Sequence, residues 1–455
     1  MISRLKAAFS RSLTPARIFV LSFALLILTG ALLLRLPFSV SGKNLSFVDA
    51  LFTAASAVCV TGLTVLDIGQ DLSLAGQLVT LLLFKVGGLG IITFSVLLFG
   101  LMGRGISFKD REFVQSTFLH TPRRDLLFII KRVLFLSLAI EAAGAVFLFI
   151  RFAADFPPAR AFYLAVYHAV SAFNNCGYSL FPDSLMSYRE DWLINLTVMV
   201  LIVLGGIGFI VQHEVLSRLR GVGKRLSLHA KIVLSATGIL ILLGTALFCL
   251  LERDHTLKGL SPASALLISL FQSITSRTTG FNTVEIAQLA NPTILLLMVL
   301  MFIGASPGST GGGIKTTSFA LLLFLIWSQI KGSVDVNVFH RTIPRENLHR
   351  TIAVILAAVL AIGLVAAMLL LGESPADPSL PANRHLMVEY IFETVSAFGT
   401  VGLSMGATAK LNDLQKLTVV FMMFAGRVGL LTLAFAWYAA KRKGLTYAEE
   451  AVMVG

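Results

Sequence analysis

Charge is scarce in this chain: 13% of its residues are Asp, Glu, Lys or Arg, while 56% are hydrophobic. A water-soluble fold of 455 residues would not carry so few charges, so the expectation is a polytopic membrane protein. Cysteine is nearly absent too. Cys59, Cys176 and Cys249 stand singly, which leaves neither a disulfide framework nor a metal-ligand spacing. Strand-rich stretches are missing, and so is a phosphate loop. The segment "GSTGGGIKTT" ends in Lys-Thr but lacks the Gly-x-x-x-x-Gly-Lys-Thr spacing and lies inside an apolar run. The polar candidates for catalysis, His168, His213, Glu214, Asp67 and Asp183, are dispersed and form no nucleophile or metal constellation, which argues against a membrane enzyme. His168 reads as a hydrogen-bonded structural residue.

Acidic residues are few as well, 24 against 37 basic, for a net charge of +13. That excess would suit nucleic acid, but its distribution does not. Of the Lys and Arg residues, 23 fall in stretches 1–17, 103–132, 218–231, 331–350 and 441–443, alternating with segments poorer in them. Short cytoplasmic loops show this bias. Both termini are therefore expected in the cytoplasm, and no nucleic-acid partner is expected. The run from Ile18 has the length of a full span and no small-residue cleavage site follows it, so it reads as the first helix rather than a secretory signal.

Long apolar runs are abundant: Ile18–Leu34, Leu74–Met102, Val133–Ile150, Trp192–Leu216, Ile232–Leu251, Pro292–Gln329, Ile352–Leu371 and Leu417–Ala440. Each can cross about 30 Å of hydrocarbon as a helix, which predicts eight spans. Between the members of each pair lies a run too short to cross: Phe47–Val58, Ala161–Phe173, Ala263–Thr275 and His385–Phe398. All four short runs end at look-alike interruptions: "SAVCVTGLTV", "SAFNNCGYSLF", "SITSRTTGFNT" and "SAFGTVGLSMG". Their central glycines, Gly62, Gly177, Gly280 and Gly402, are 115, 103 and 122 residues apart, so the repeats are diverged. A Ser precedes the glycine by six residues in three of them (Ser56, Ser171, Ser396); in the third repeat Ile274 holds that place, between Ser273 and Thr275.

The predicted fold is thus an all-α integral membrane protein of eight transmembrane helices in four membrane–pore–membrane repeats with pseudo-fourfold symmetry. The repeats cover 1–103, 104–220, 221–330 and 331–455, with filter segments at 60–64, 175–179, 278–282 and 400–404. Non-helical backbone is tolerated at membrane depth only where protein buries it or water reaches it. Four such segments entered from outside imply a shared axis, where carbonyl oxygens can replace the hydration shell of a cation. Glycine permits the backbone conformation that turns carbonyls inward. The short helices aim their partially negative C-terminal ends at the same point.

On these residues the chain resembles the Trk/Ktr/HKT superfamily of K⁺-translocating subunits over nearly its whole length, most closely the shorter Ktr-type membrane subunit, since only seventeen residues precede the first span. The resemblance implies a K⁺ filter formed by Val60-Thr61-Gly62, Asn175-Cys176-Gly177, Thr278-Thr279-Gly280 and Thr400-Val401-Gly402. Gly62, where Na⁺-preferring relatives often carry Ser, implies K⁺ selectivity. Cys176 stands where a small residue is usual and reads as buried and unreactive. The run "GASPGSTGGGIKTT", 304–317, resembles the family's intramembrane gate loop. The implied gate consists of Gly304, Gly308, Ser309, Thr310, Gly311, Gly312, Gly313 and Lys315, faced by Arg427, an ionisable residue within the eighth span. Lys85 departs from the family, where an uncharged polar residue is usual; it either faces the cavity, pairs with a carboxylate such as Glu141, or packs behind the pore. The Gly-Gly-x-Gly stretches 87–90 and 205–208 read as close helix packing.

The expected activity is K⁺ uptake, Na⁺-dependent, with K⁺ or Na⁺ as the only bound ions and no covalent cofactor. The resemblance further implies a homodimer in membrane lipid, above a cytoplasmic ring of nucleotide-binding regulatory subunits; nucleotide acts only through that ring. Basic stretches 103–132, 218–231 and 331–350 are its expected docking surface. The alternative transport class is the K⁺-binding subunit of an ATP-driven pump, which shares the four-repeat plan but is typically longer.

Overall fold

The computed structural model describes residues 15–42, 45–101, 126–221, 225–372 and 384–437. Most of basic stretches 1–17 and 103–132, all of 441–443 and both chain ends lie outside the described residues, and with them the expected orientation of the termini.

Helices dominate, in four successive sets. The first holds α1 (Pro15–Leu34), α2 (Phe47–Cys59) and α3 (Leu74–Leu101). The second holds α4 (Leu126–Phe152), α5 (Pro158–Phe173), α6 (Trp192–Gly206) and α7 (Phe209–Leu219). The third holds α8 (Leu228–Leu251), α9 (Pro262–Thr275), α10 (Asn291–Phe302) and α11 (Thr316–Ile330). A two-residue hairpin, β1 (Asn337–Val338) with β2 (Arg341–Thr342), leads into the fourth set. That set holds α12 (Arg345–Leu371), α13 (Arg384–Gly399), α14 (Asp413–Val428) and α15 (Leu430–Trp437). The short helices α2, α5, α9 and α13 coincide with the four runs too short to cross.

Local chemistry starts these elements. Ser46 Oγ accepts the Asp49 N–H at 3.0 Å to open α2, and Ser261 Oγ accepts the Ser264 N–H at 3.1 Å to open α9. Both satisfy a backbone donor that a helix start leaves unpaired. Pro158 opens α5, where a missing N–H costs nothing. At α14, Asn412 and Gln415 cap one another reciprocally, each side-chain oxygen taking the other's backbone N–H at 2.9 Å. Asn412→Ala is expected to cost about 1 kcal/mol of stability. A lowered thermal midpoint checks this; an unchanged one means water replaces the cap.

The surface differs from that of a water-soluble protein. Leu25, Leu242 and Leu360 on α1, α8 and α12 are 66%, 70% and 73% exposed, whereas Ser171, Asn175, Thr278 and Thr310 are fully buried. Such a surface suits hydrocarbon. Among the described residues, four helices are long and apolar enough to cross a membrane: α1, α4, α8 and α12. The pairs α6–α7 and α14–α15 qualify only when taken together.

Those two pairs correct the expectation of continuous spans over 192–216 and 417–440. The chain bends by 106° between α6 and α7 and by 93° between α14 and α15. Gly208 and Gly429 sit at the bends with φ of 89° and 92°, a region closed to most side chains. At the first bend the freed backbone finds partners in the 304–317 segment. The Phe209 N–H bonds Gly308 O at 3.0 Å, the Ser306 N–H bonds Gly206 O at 3.0 Å, and the Thr310 N–H bonds Gly205 O at 3.3 Å. The run over 292–329 is broken too, with α10 ending at Phe302 and α11 starting at Thr316.

Candidate functional site

The four glycine segments meet. A methyl group on Gly62 would stand 2.2 Å from the Cys176 carbonyl oxygen, and one on Gly177 would stand 1.9 Å from that of Thr279. One on Gly280 would lie 2.1 Å from Val401 O, and one on Gly402 would lie 2.3 Å from Thr61 O. Each glycine thus faces the residue before the next segment's glycine, and the fourth returns to the first. Within each triplet the two residues before the glycine are buried, while the glycine itself keeps some accessibility.

Backbone strain has the same pattern four times. Gly62, Gly177, Gly280 and Gly402 have φ of 92°, 75°, 90° and 93°. Two residues earlier, Val60, Asn175, Thr278 and Thr400 are also left-handed, at 57°, 59°, 78° and 49°. For a side-chain-bearing residue this costs about 1–2 kcal/mol, most unusually for β-branched Val and Thr. Left-handed residues alternating with ordinary ones turn successive carbonyls towards one side. Nothing in a Val or Thr announces this conformation, so sequence reasoning missed it.

The strain is held by the ends of the short helices. Ser56 O and Ser396 O accept the Thr61 and Val401 N–H groups, both at 2.8 Å, and their hydroxyls accept the Gly62 and Gly402 N–H groups at 3.1 and 3.0 Å. Ser171 O accepts the Cys176 N–H at 2.9 Å and its hydroxyl donates to Tyr178 O at 2.8 Å. In the third repeat Thr275 takes over: its carbonyl accepts the Thr279 N–H at 3.0 Å and its hydroxyl donates to Phe281 O at 2.7 Å. The missing Ser is thus replaced one residue later. Gly87, Gly205 and Gly426 let their helices approach the carbonyls of Val58, Phe173 and Phe398, each four residues before a central glycine; a methyl group on any of them would come within about 2 Å of that oxygen.

The 304–317 segment lies against the first residues of three triplets. Thr310 Oγ1 donates to Asn175 Oδ1 at 3.2 Å, and Asn175 Nδ2 donates to Thr278 Oγ1 at 3.2 Å. A methyl group on Gly311 would meet Thr278 Oγ1 at 2.1 Å, and one on Gly312 would meet Thr400 Oγ1 at 2.4 Å. Gly304 packs on Gly312 O, Gly308 O serves Phe209, and Ser309 Oγ donates to Ser306 O at 2.6 Å. Gly313 approaches Gly399. Lys315 Nζ donates to Gly311 O at 2.8 Å. Arg427 is buried and bridges two elements. Its Nη1 donates to Thr310 O, and its Nη2 donates to Gly87 O and to Gly88 O, the last at 3.2 Å. The four triplets thus lie together, and Thr310, Gly311 and Gly312, with Arg427 bonded to Thr310, lie against three of them.

Lys85 pairs with Glu141 at 2.5 and 2.7 Å, and Asn174 Nδ2 donates to Glu141 Oε1 at 2.9 Å. Asn174 is the residue before the second triplet, so the pair is tied to that segment through the Asn174 amide. Glu141→Gln leaves a largely buried ammonium without its counter-charge and is expected to cost about 3–5 kcal/mol. A thermal midpoint equal to the parent's would show the pair to be dispensable; Lys85→Met with Glu141→Leu should recover most of the loss.

The dispersed polar residues serve the backbone. The His168 ring bonds Leu164 O at 2.8 Å and Ser179 Oγ at 3.0 Å. Asp67 accepts the Gly69 and Gln70 N–H groups, Asp183 accepts from Ser187, and Glu214 accepts the Ser227 N–H. His213 lies 3.1 Å from Arg132 Nη1. Cys59 and Cys176 are fully buried.

Buried polar, strained segments within outward-facing apolar helices mark an integral membrane protein. The chain belongs to the TrkH family of cation transport proteins, whose profile matches residues 7–441. It is 38% identical over 442 residues to the Ktr system potassium uptake protein B of Vibrio alginolyticus, covering 96% of this chain and 94% of that one. Against the protein of the same name from Bacillus subtilis the identity is 36%, with 97% of each chain covered. It is 35% for the potassium/sodium uptake protein NtpJ of Enterococcus hirae, covering 99% of each. The crystal structure of the potassium transporter TrkH from Vibrio parahaemolyticus superposes with a TM-score of 0.74 at 22% identity, over 92% of this chain and 84% of that one, and so shares the fold. The relatives are transport proteins, and this chain is one too rather than an enzyme.

Proposed function

We propose that this chain carries K⁺ into the cell across a bacterial cytoplasmic membrane, through a filter of backbone carbonyls at the glycine ring. The observation that carries the proposal is the closed cycle of contacts from Gly62 through Cys176, Thr279 and Val401 back to Thr61. Carbonyls gathered on one axis replace the water shell of a monovalent cation. The C-terminal ends of α2, α5, α9 and α13 lead into the ring and favour positive charge. In this reading the four helix sets are pseudo-fourfold repeats crossing the membrane eight times, with α6–α7, α10–α11 and α14–α15 as broken spans. The 304–317 segment closes the path beneath the ring, and Arg427 holds it shut. K⁺ as cargo follows from the names of the relatives, and Na⁺ dependence from the relative named for potassium and sodium uptake. A Ktr "system" implies companion subunits, for which we propose a cytoplasmic nucleotide-binding ring under a dimer of this chain.

Ion flux into liposomes holding the purified chain tests the reading. Rb⁺ or K⁺ uptake is expected to exceed Na⁺ uptake, to respond to added Na⁺, and to change when a nucleotide-binding ring subunit is supplied. Liposomes that take up neither ion above protein-free controls would overturn it.

A further inference from the structure

Arg277, the residue immediately before Thr278 of the third triplet, is placed differently from the other cations near the ring. Lys85 has Glu141, Lys315 has the Gly311 carbonyl, and Arg427 has those of Thr310, Gly87 and Gly88. Arg277 is 8% exposed, its Nε is buried without a hydrogen-bond partner, and no carboxylate of the described residues lies within ion-pairing distance of it. The end of α9 two residues earlier offers about half a negative charge, which offsets only part of a guanidinium. A buried cation left otherwise uncompensated costs several kcal/mol.

The side chain lines a cavity of about 20 Å³ between α6, α8, α9 and the 304–317 segment. Thr237 lines it as well, and its Oγ1 is likewise buried with no hydrogen-bond partner. The remaining walls are mostly apolar, with Ile202, Ile241 and Ile274 among them. A full positive charge and a hydroxyl with no hydrogen-bond partner thus share one small chamber, whose other polar wall, the Asn175 amide, is engaged with Thr310 and Thr278. Its volume leaves room for one water or one small ion.

We propose that this cavity binds one small monovalent inorganic anion, such as chloride, held by the Arg277 guanidinium and the Thr237 hydroxyl. The anion neutralises Arg277 beside the filter, where an uncompensated positive charge would oppose a passing cation. The site is structural, and its occupancy does not depend on which cation the protein carries.

The test is thermal unfolding of the purified full chain at constant ionic strength, with potassium gluconate, too large for the cavity, replaced stepwise by potassium chloride. The midpoint should rise saturably by about 2 °C or more, as for a ligand that binds only the folded state. Arg277→Gln should abolish the rise and Arg277→Lys should retain most of it. Thr237→Val, which keeps the charge, should raise the half-saturating chloride several-fold and serves if Arg277→Gln does not fold. Bromide should give an anomalous diffraction peak in the cavity. Equal midpoints in chloride and gluconate, the same chloride response in parent and Thr237→Val, or no bromide peak because water occupies the site, would each overturn the proposal.

Discussion

A single methyl group at Gly280 is expected to abolish K⁺ uptake. In Gly280→Ala the new carbon would sit 2.1 Å from Val401 O and 2.9 Å from the Gly402 α-carbon, with φ at +90°. Neither neighbour is the end of a flexible side chain, so the backbone of the fourth segment must move. The left-handed conformation adds about 1–2 kcal/mol for an L side chain. In the proposed filter a displaced carbonyl would leave a dehydrating cation short of one ligand. Uptake should fall at least about 100-fold, the equivalent of a ~3 kcal/mol rise in the barrier to passage. Liposome flux measures this, with size-exclusion retention and thermal midpoint checking that the variant is folded. Parent-level flux in a folded Gly280→Ala protein would mean that ions pass elsewhere. Gly177→Ala, whose methyl group would lie 1.9 Å from Thr279 O, provides the same test on a second segment.

Arg427→Gln should do the opposite and raise flux. The guanidinium spans from Thr310 O to the carbonyls of Gly87 and Gly88, tying the 304–317 segment on one side to α3 on the other. A glutamine has one short amide and cannot reach both. Charge-assisted hydrogen bonds are worth about 1.5–3 kcal/mol each, so losing one shifts the segment's equilibrium towards release by roughly tenfold or more. It also removes a positive charge from the proposed path. Deleting 308–313 should raise flux similarly, since it takes away the residues lying against Thr278 and Thr400. If both variants fold and conduct like the parent, the segment is not a gate. A gain in only the deletion would assign the barrier to the segment and leave Arg427 a packing role.

The parts legible from sequence were those with a periodic or compositional signature. Runs of apolar residues located the helices, because a length near 30 Å of hydrocarbon sets a minimum that loops and soluble helices seldom meet. Repetition of Ser-x-x-x-x-x-Gly located three of the four segments and the quoted Gly marked the fourth. The bends at Gly208 and Gly429 were not legible, since glycines within an apolar run are compatible with a continuous helix, as the Gly-Gly-x-Gly stretch 87–90 inside α3 shows. What decides the first is an external partner: Gly308 O accepts the Phe209 N–H, and the 304–317 segment is distant in sequence. Arg277 was passed over for a related reason. Next to a Thr-Thr-Gly triplet, an Arg reads as part of a loop, and only the packing of α6 and α8 around it reveals that no counter-charge is near.

From the order of residues alone follow a membrane-embedded helical chain, its four interruptions and the family to which it belongs, since these depend on local hydrophobicity, helix length and short-range spacing. Tertiary structure decided that Thr275 replaces the absent serine, that Lys85 is neutralised by Glu141, and that Val60, Asn175, Thr278 and Thr400 are forced into left-handed backbone. The Lys85–Glu141 pair is fixed by atoms that approach across the bundle, where distance in the chain carries no information about distance in space. The left-handed residues and Thr275 are held by groups four to six residues away, in a backbone conformation that no residue pattern announces.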